Sequence, residues 1–289
     1  MRTHLARLIL ACVIPVALMG CTPGASAPSH ETATSPAAPT AGSAQASGES
    51  PTTAPDLNAA TLEAIARTRV FFAHRSVGAD IVVKGLREVY AEYGVESPVV
   101  NDGAPLATGS FGDRWLNQTD NPQSKLDDFQ MWIREKGVGS ATDIAFMKLG
   151  FVDITADTDV SSLFESYKTM MDELERDYPK VRFLHVTVSV TRWVPDNNAA
   201  IERYNELMRK QYGHTGRLID LAAVLSTCPS GKRDEHRTDK GDVYFQLCRE
   251  YTTDGGHLNE RGAEVAATAM LRVIAASLPA TATTPTASR

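Results

Sequence analysis

Two apolar patterns alternate along the middle of the chain. Short unbroken runs rich in aromatic and branched residues, the first being Val70-Phe71-Phe72-Ala73, are followed by stretches with apolar side chains at helical spacing, such as Ile81, Val82, Leu86, Val89 and Tyr90. The runs fit strands buried on both faces, and the spaced positions fit helices lying on them. Strands are expected at Val70–Ala73, Glu96–Val100, Asp143–Leu149, Val181–Val188 and Leu218–Leu221. Helices are expected after the first strand and at Leu126–Trp132, Leu163–Leu174, Ala199–Tyr212 and Arg261–Leu278. Strands alternating with helices predict an α/β fold, a three-layer α/β/α sandwich with a central parallel sheet. Ligands of such sheets bind at the carboxyl ends of the strands, so the residues just after each strand come first in a search for chemistry.

The pattern fails at both ends. Arg2, His4 and Arg7 precede an apolar run from Leu8 to Met19, the charged start and short hydrophobic stretch of a secretory signal. From Thr22 to Asp56 the chain is dominated by Ala, Ser, Thr, Pro and Gly with no apolar period, a composition that cannot bury enough surface to offset its ordering entropy. Residues 279–289 have the same character. The expected organisation is a signal peptide at 1–21, a disordered tether at 22–56, one domain at 57–278 and a disordered tail at 279–289. The net charge of −6 comes without a basic stripe, which argues against nucleic acid as a partner and leaves small molecules or glycans.

The signal ends in Leu18-Met19-Gly20-Cys21, which resembles the lipobox of bacterial lipoproteins. That resemblance implies a lipid on Cys21 and anchoring to the bacterial cell envelope; Thr22 in the next position points to the outer membrane if the cell is Gram-negative. Export leaves Cys228 and Cys248 together in an oxidising compartment, where a disulfide is expected; a zinc site lacks the usual short Cys-x-x-Cys spacing. No metal or cofactor is expected.

Ala73-His74-Arg75-Ser76-Val77-Gly78 follows the first strand and sets Ser76 on the turn into the first helix. Alone, such a serine reads as a helix cap. Near the end of the domain stands Thr253-Asp254-Gly255-Gly256-His257-Leu258-Asn259, just ahead of the closing helix. An Asp three residues before a His can accept its Nδ1 proton and turn Nε2 towards a nucleophile. With that pair present, Ser76 reads as the nucleophile.

A serine after the first strand and Asp-x-x-His-Leu-Asn before the last helix together resemble the SGNH, or GDSL-like, hydrolase superfamily, across nearly the whole domain. The resemblance implies a flavodoxin-like sandwich in which Ser76, His257 and Asp254 form the catalytic triad. It also shows departures: His74-Arg75-Ser76 stands where Gly-Asp-Ser is usual, and Gly150-Phe151-Val152-Asp153 puts Val152 where an oxyanion-hole Asn is expected. Replacement donors could be the Ser76 amide, Lys148, Asn117, Asn121 or His74, with Gly112 preferred to Gly109 for the family's glycine amide in the loop after the second strand. Gly150 and Asp153 are possible site-lining residues, Asp153 either as a loop cap or in the site itself. Trp115 and Trp193 follow strands and could stack on a sugar or pack beneath loops. Asp234-Glu235-His236 reads as a solvated cluster.

The implied activity is that of a serine esterase acting on a small ester or an acylated glycan, with carbohydrate O-deacetylation as one form. An O-acetyltransferase with the same triad, or a non-catalytic ligand-binding or envelope-assembly lipoprotein, are the alternatives.

Overall fold

The computed structural model describes residues 56–103, 107–237, 241 and 243–278. The expected lipid site at Cys21, the signal, the tether and the 279–289 tail lie outside the described residues.

The sheet is parallel between every pair of neighbours, with strand order β2-β3-β1-β4-β5. Its strands are β1 (Val70–His74), β2 (Val99–Asp102), β3 (Ser110–Trp115), β4 (Ile144–Met147) and β5 (Arg182–Phe183). The parallel course continues one residue later in β6 (His185–Val186), which pairs with β7 (Leu218–Ile219). All five residues of β1 are buried, as the centre of a sheet covered on both faces requires.

Helices cover both faces. On one side α1 (Ala59–Ala66), α8 (Leu221–Ser226) and α9 (Glu260–Ala276) pack with a continuous helical stretch built of α2 (Val77–Asp80), a π-helical segment (Ile81–Leu86) and α3 (Arg87–Glu92). On the other lie α4 (Pro122–Arg134), α5 (Val138–Ala141), α6 (Val160–Asp177) and α7 (Pro195–Tyr212). The π-helical segment and α9 approach so closely at Gly85 that a Cβ there would stand 2.3 Å from the Ala263 carbonyl oxygen. Sandwich and parallel sheet thus match the apolar pattern.

Three details differ from the pattern. The segment Ser110–Trp115, expected as a connecting loop, is a strand wedged between β2 and β1. Gly109, Gly112, Asp113 and Arg114 interrupt its apolar run and hide it from a periodicity test. The second strand is Val99–Asp102 at an exposed edge, not Glu96–Val100. The run Leu218–Leu221 divides into β7 and α8, because the Asp220 carboxylate accepts from the Ala223 amide at 3.1 Å and starts a helix. A hairpin, β8 (Glu235–Arg237) with β9 (Val243–Phe245), lies between Cys228 and Cys248. The two cysteines form a disulfide with Cα atoms 5.4 Å apart.

Candidate active site

β1 ends at His74, and two residues later the chain turns into α2 at Ser76. That serine has φ 51° and ψ −112°, outside the conformations that L-residues favour, and its side chain makes no capping hydrogen bond. A helix cap would have extended backbone and a bonded side chain. Ser76 is therefore not a cap; strain of this kind gathers where a side chain must be aimed.

The Asp254–Leu258 loop leads into α9. Asp254 Oδ2 lies 2.8 Å from His257 Nδ1, while its Oδ1 accepts from the amides of Gly256 and His257, each at 2.8 Å. Burial opposes the carboxylate's charge, yet those two amides and the imidazole hold its pKa far below the usual range. Asp254 remains ionised at any working pH, and the His257 tautomer with the proton on Nδ1 is fixed. Trp193 braces the loop: its Nε1 donates to the Asp254 carbonyl at 2.6 Å and its ring meets His257 edge to face at 5.1 Å. A Cβ on Gly256 would stand 2.4 Å from that ring, and Gly255 has φ +91°, so both glycines are needed. Trp193 itself is held by α7, where Asn198 bonds both the amide and the carbonyl of Thr191, at 3.0 and 2.6 Å.

A clamp outside the Ser76 and Asp-x-x-His motifs ties the two halves together. Asp80, one turn after Ser76, accepts from the Leu258 amide at 2.9 Å, and Lys84 donates to the Leu258 carbonyl at 2.7 Å. The two side chains also pair with each other at 2.7 Å. The residue after His257 is thus pinned to the helix that starts at Ser76. Among the described residues no hydrogen bond joins Ser76 to His257. The signal was an acid and a base four apart on the otherwise buried start of a helix.

The remaining candidates separate. Lys148 follows β4, its amide donates to the Ala73 carbonyl at 3.0 Å, and its side chain is wholly buried with one acceptor, the Leu149 carbonyl at 3.1 Å. Burial, with help from the charge on Lys125, brings its pKa down to about 7 against the opposing pull of Asp153 and Asp80. His74 is fully buried and bonds Asp113 through Nε2, leaving Nδ1 without a partner among the described residues. Burial lowers its pKa more than Asp113 raises it, so the ring is neutral. Gly112 lies in the middle of β3, opposite Phe71 and Asn101, so the loop amide expected of it is absent.

Asn121 is committed as the cap of α4, accepting from Ser124 at 3.0 Å. Asn117 has its amide on Asp128 at 2.9 Å and its side chain exposed in a cleft beside the serine. Asp153 forms a buried ion pair with Lys125 at 2.6 Å and caps the Gly150 amide at 2.5 Å. The Gly150 contact is the local cap that was one of its two readings. Asp234 pairs with Arg192 at 2.6 Å, while Glu235 and His236 form the hairpin strand; the cluster is structural.

Fold and site together define a class: an α/β protein carrying a strained serine and an Asp–His pair at the carboxyl edge of a parallel sheet. No family model and no curated protein matches the chain. Among solved structures, a GDSL-like lipase from Bacteroides thetaiotaomicron is similar at TM-score 0.48 and 14% identity, covering 73% of this chain and 90% of that one. An acetyl esterase, solved as a Ser-to-Ala mutant with acetate ion, is similar at TM-score 0.42 and 15% identity, covering 71% and 94%. The periplasmic domain of a lipopolysaccharide acetyltransferase from Salmonella ser. Paratyphi A reaches TM-score 0.41 and 12% identity, covering 69% and 80%. The likeness is one of fold and assigns no activity to this chain.

Proposed function

We propose that this protein is an exported, lipid-anchored serine esterase with Ser76 as nucleophile, His257 as acid and base, and Asp254 as its orienting carboxylate. The observation that carries this reading is the Asp254–His257 pair at 2.8 Å in a loop pinned to the helix that opens at a strained, uncapped serine. His257 Nε2 takes the Ser76 proton as Oγ bonds to the ester carbonyl carbon. The tetrahedral intermediate collapses, the alcohol leaves with the proton held by His257, and the acyl group stays on Ser76. Water, deprotonated by His257, then attacks that acyl carbon and releases the acid. The Ser76 amide, at the start of the helical stretch, faces the developing oxyanion, and Lys148 adds positive charge from beneath.

Two features support an extracytoplasmic setting. The Cys228–Cys248 disulfide suits an oxidising compartment, and Leu18-Met19-Gly20-Cys21 suits a lipid anchor. No helix among the described residues is long and apolar enough to cross a membrane. Acylated envelope glycans fit such a setting as substrates, and an acetyl acceptor other than water would make the same triad a transferase.

The test is hydrolysis of p-nitrophenyl acetate by the full-length protein in detergent, beside Ser76→Ala. A loss of about a thousandfold or more in kcat is expected. Equal rates for the two proteins would reject the esterase and favour a ligand-binding lipoprotein.

A further inference from the structure

A cleft of about 670 Å³ opens beside the proposed nucleophile, at the carboxyl ends of β2 and β3, lined by Arg75, Asp102, Asp113, Arg114, Trp115, Leu116, Asn117 and Gln118. Its position follows from the register: Trp115 lies opposite His74, so the cleft begins where β1 turns towards Ser76. Four of the lining side chains carry charge, and their partners decide what the cleft attracts. Asp113 is turned inward: it accepts from the buried His74 ring, and its side chain is only 17% exposed. Arg114 lies over the Trp132 ring, 4.2 Å from its centre, and meets Asp102 only at 3.9 Å; that carboxylate is 90% exposed, so the pair contributes little.

Arg75 is different. Among the described residues its guanidinium makes no ion pair and no hydrogen bond, in a protein whose net charge is −6. It rests above Trp115, 5.2 Å from the ring centre, and Trp115 is 48% exposed to the cleft. A cation over an indole is held in place without being neutralised, so its donors stay available for an anion. Arg75 also directly precedes Ser76, which fixes it within one residue of the reacting centre.

We infer that this cleft receives a negatively charged group of the substrate, a carboxylate or an oxyacid ester such as phosphate or sulfate, bound by Arg75 over Trp115 with Asn117 and Gln118 at its rim. The inference rests on the esterase reading and narrows it to acyl esters that carry an anion near the scissile bond.

The test compares matched esters in the full-length protein: 4-acetoxybenzoate against its methyl ester for an anion on the alcohol side, and p-nitrophenyl hydrogen succinate against p-nitrophenyl butyrate for one on the acyl side. In at least one pair the anionic ester should show the lower KM. Arg75→Gln should raise that KM about tenfold more than the KM of its neutral partner, and Arg75→Lys should restore part of the difference. No preference in either pair, or equal effects of Arg75→Gln on both members, overturns the inference while leaving the esterase intact. If no ester is turned over, calorimetric titration with 4-hydroxybenzoate and with inorganic phosphate decides it: weaker binding by Arg75→Gln supports the anion site, and no binding by the wild type refutes it.

Discussion

At the scale of the residue, the account turns on how three side chains are held. Asp254 keeps its charge because two amides and one imidazole converge on it. Asp254→Asn preserves the shape but favours the wrong His257 tautomer, so kcat for ester hydrolysis should fall by about a thousandfold or more with KM nearly constant. Lys148 gives a pH signature. Its ammonium, with a pKa lowered to about 7, is lost as pH rises through that value, so the wild-type rate should decline above pH 7. In Lys148→Met that limb should vanish from a generally lower profile, and Lys148→Arg should show a rate that no longer falls in this range. An unchanged profile in Lys148→Met would remove Lys148 from the mechanism. The stability sign is opposite: the folded protein binds the Lys148 proton less tightly than the unfolded chain, so burying the charged form costs most below pH 7. Any gain in Tm from Lys148→Met should therefore shrink as pH rises from 7 towards 10. Of these residues, Ser76, His257 and Asp254 stood out in the sequence because a local Asp-x-x-His pair has a chemical reason for its spacing. The spacing of Asp80 and Lys84 marks an ion pair, but their contacts with Leu258, like the unpaired state of Arg75 among the described residues, were not legible, since they depend on what folding brings near.

At the scale of the element, the alternation of apolar runs and helical periods exposed the strands that are buried on both faces. β1 and β4 show entirely buried residues and were legible for that reason. β3 was not, because its glycine and charged residues pair within the sheet through backbone groups that no side-chain pattern reveals. Gly112 was consequently expected in a loop, whereas it lies in mid-strand. The disulfide stands behind the Asp254–His257 loop: Cys248 precedes Tyr251, whose carbonyl accepts from the Asn259 amide at 3.0 Å, and Arg192 donates to the Leu247 carbonyl at 2.7 Å. Closing a loop with a sequence separation of 20 residues contributes about 3 kcal/mol in the chain-entropy account. Cys228→Ala with Cys248→Ala should lower Tm by several degrees in calorimetry. If Tm stays put, the hairpin and its contacts hold this region without the bond.

At the scale of the whole molecule, the sequence divides into a described α/β sandwich and ends whose composition alone suggests anchor, tether and tail. The anchor makes its own prediction: Cys21→Ser should abolish incorporation of radiolabelled fatty acid and shift the protein from the membrane to the soluble fraction. Membrane association that survives the change would reject the lipobox. Labelling with a fluorophosphonate followed by peptide mass analysis decides whether Ser76 is a nucleophile activated by His257 and Asp254. One phosphonyl group is expected on the peptide containing Ser76, with no labelling of Ser76→Ala and much slower labelling of His257→Ala. An unlabelled wild type, or a label on any other residue, would contradict it.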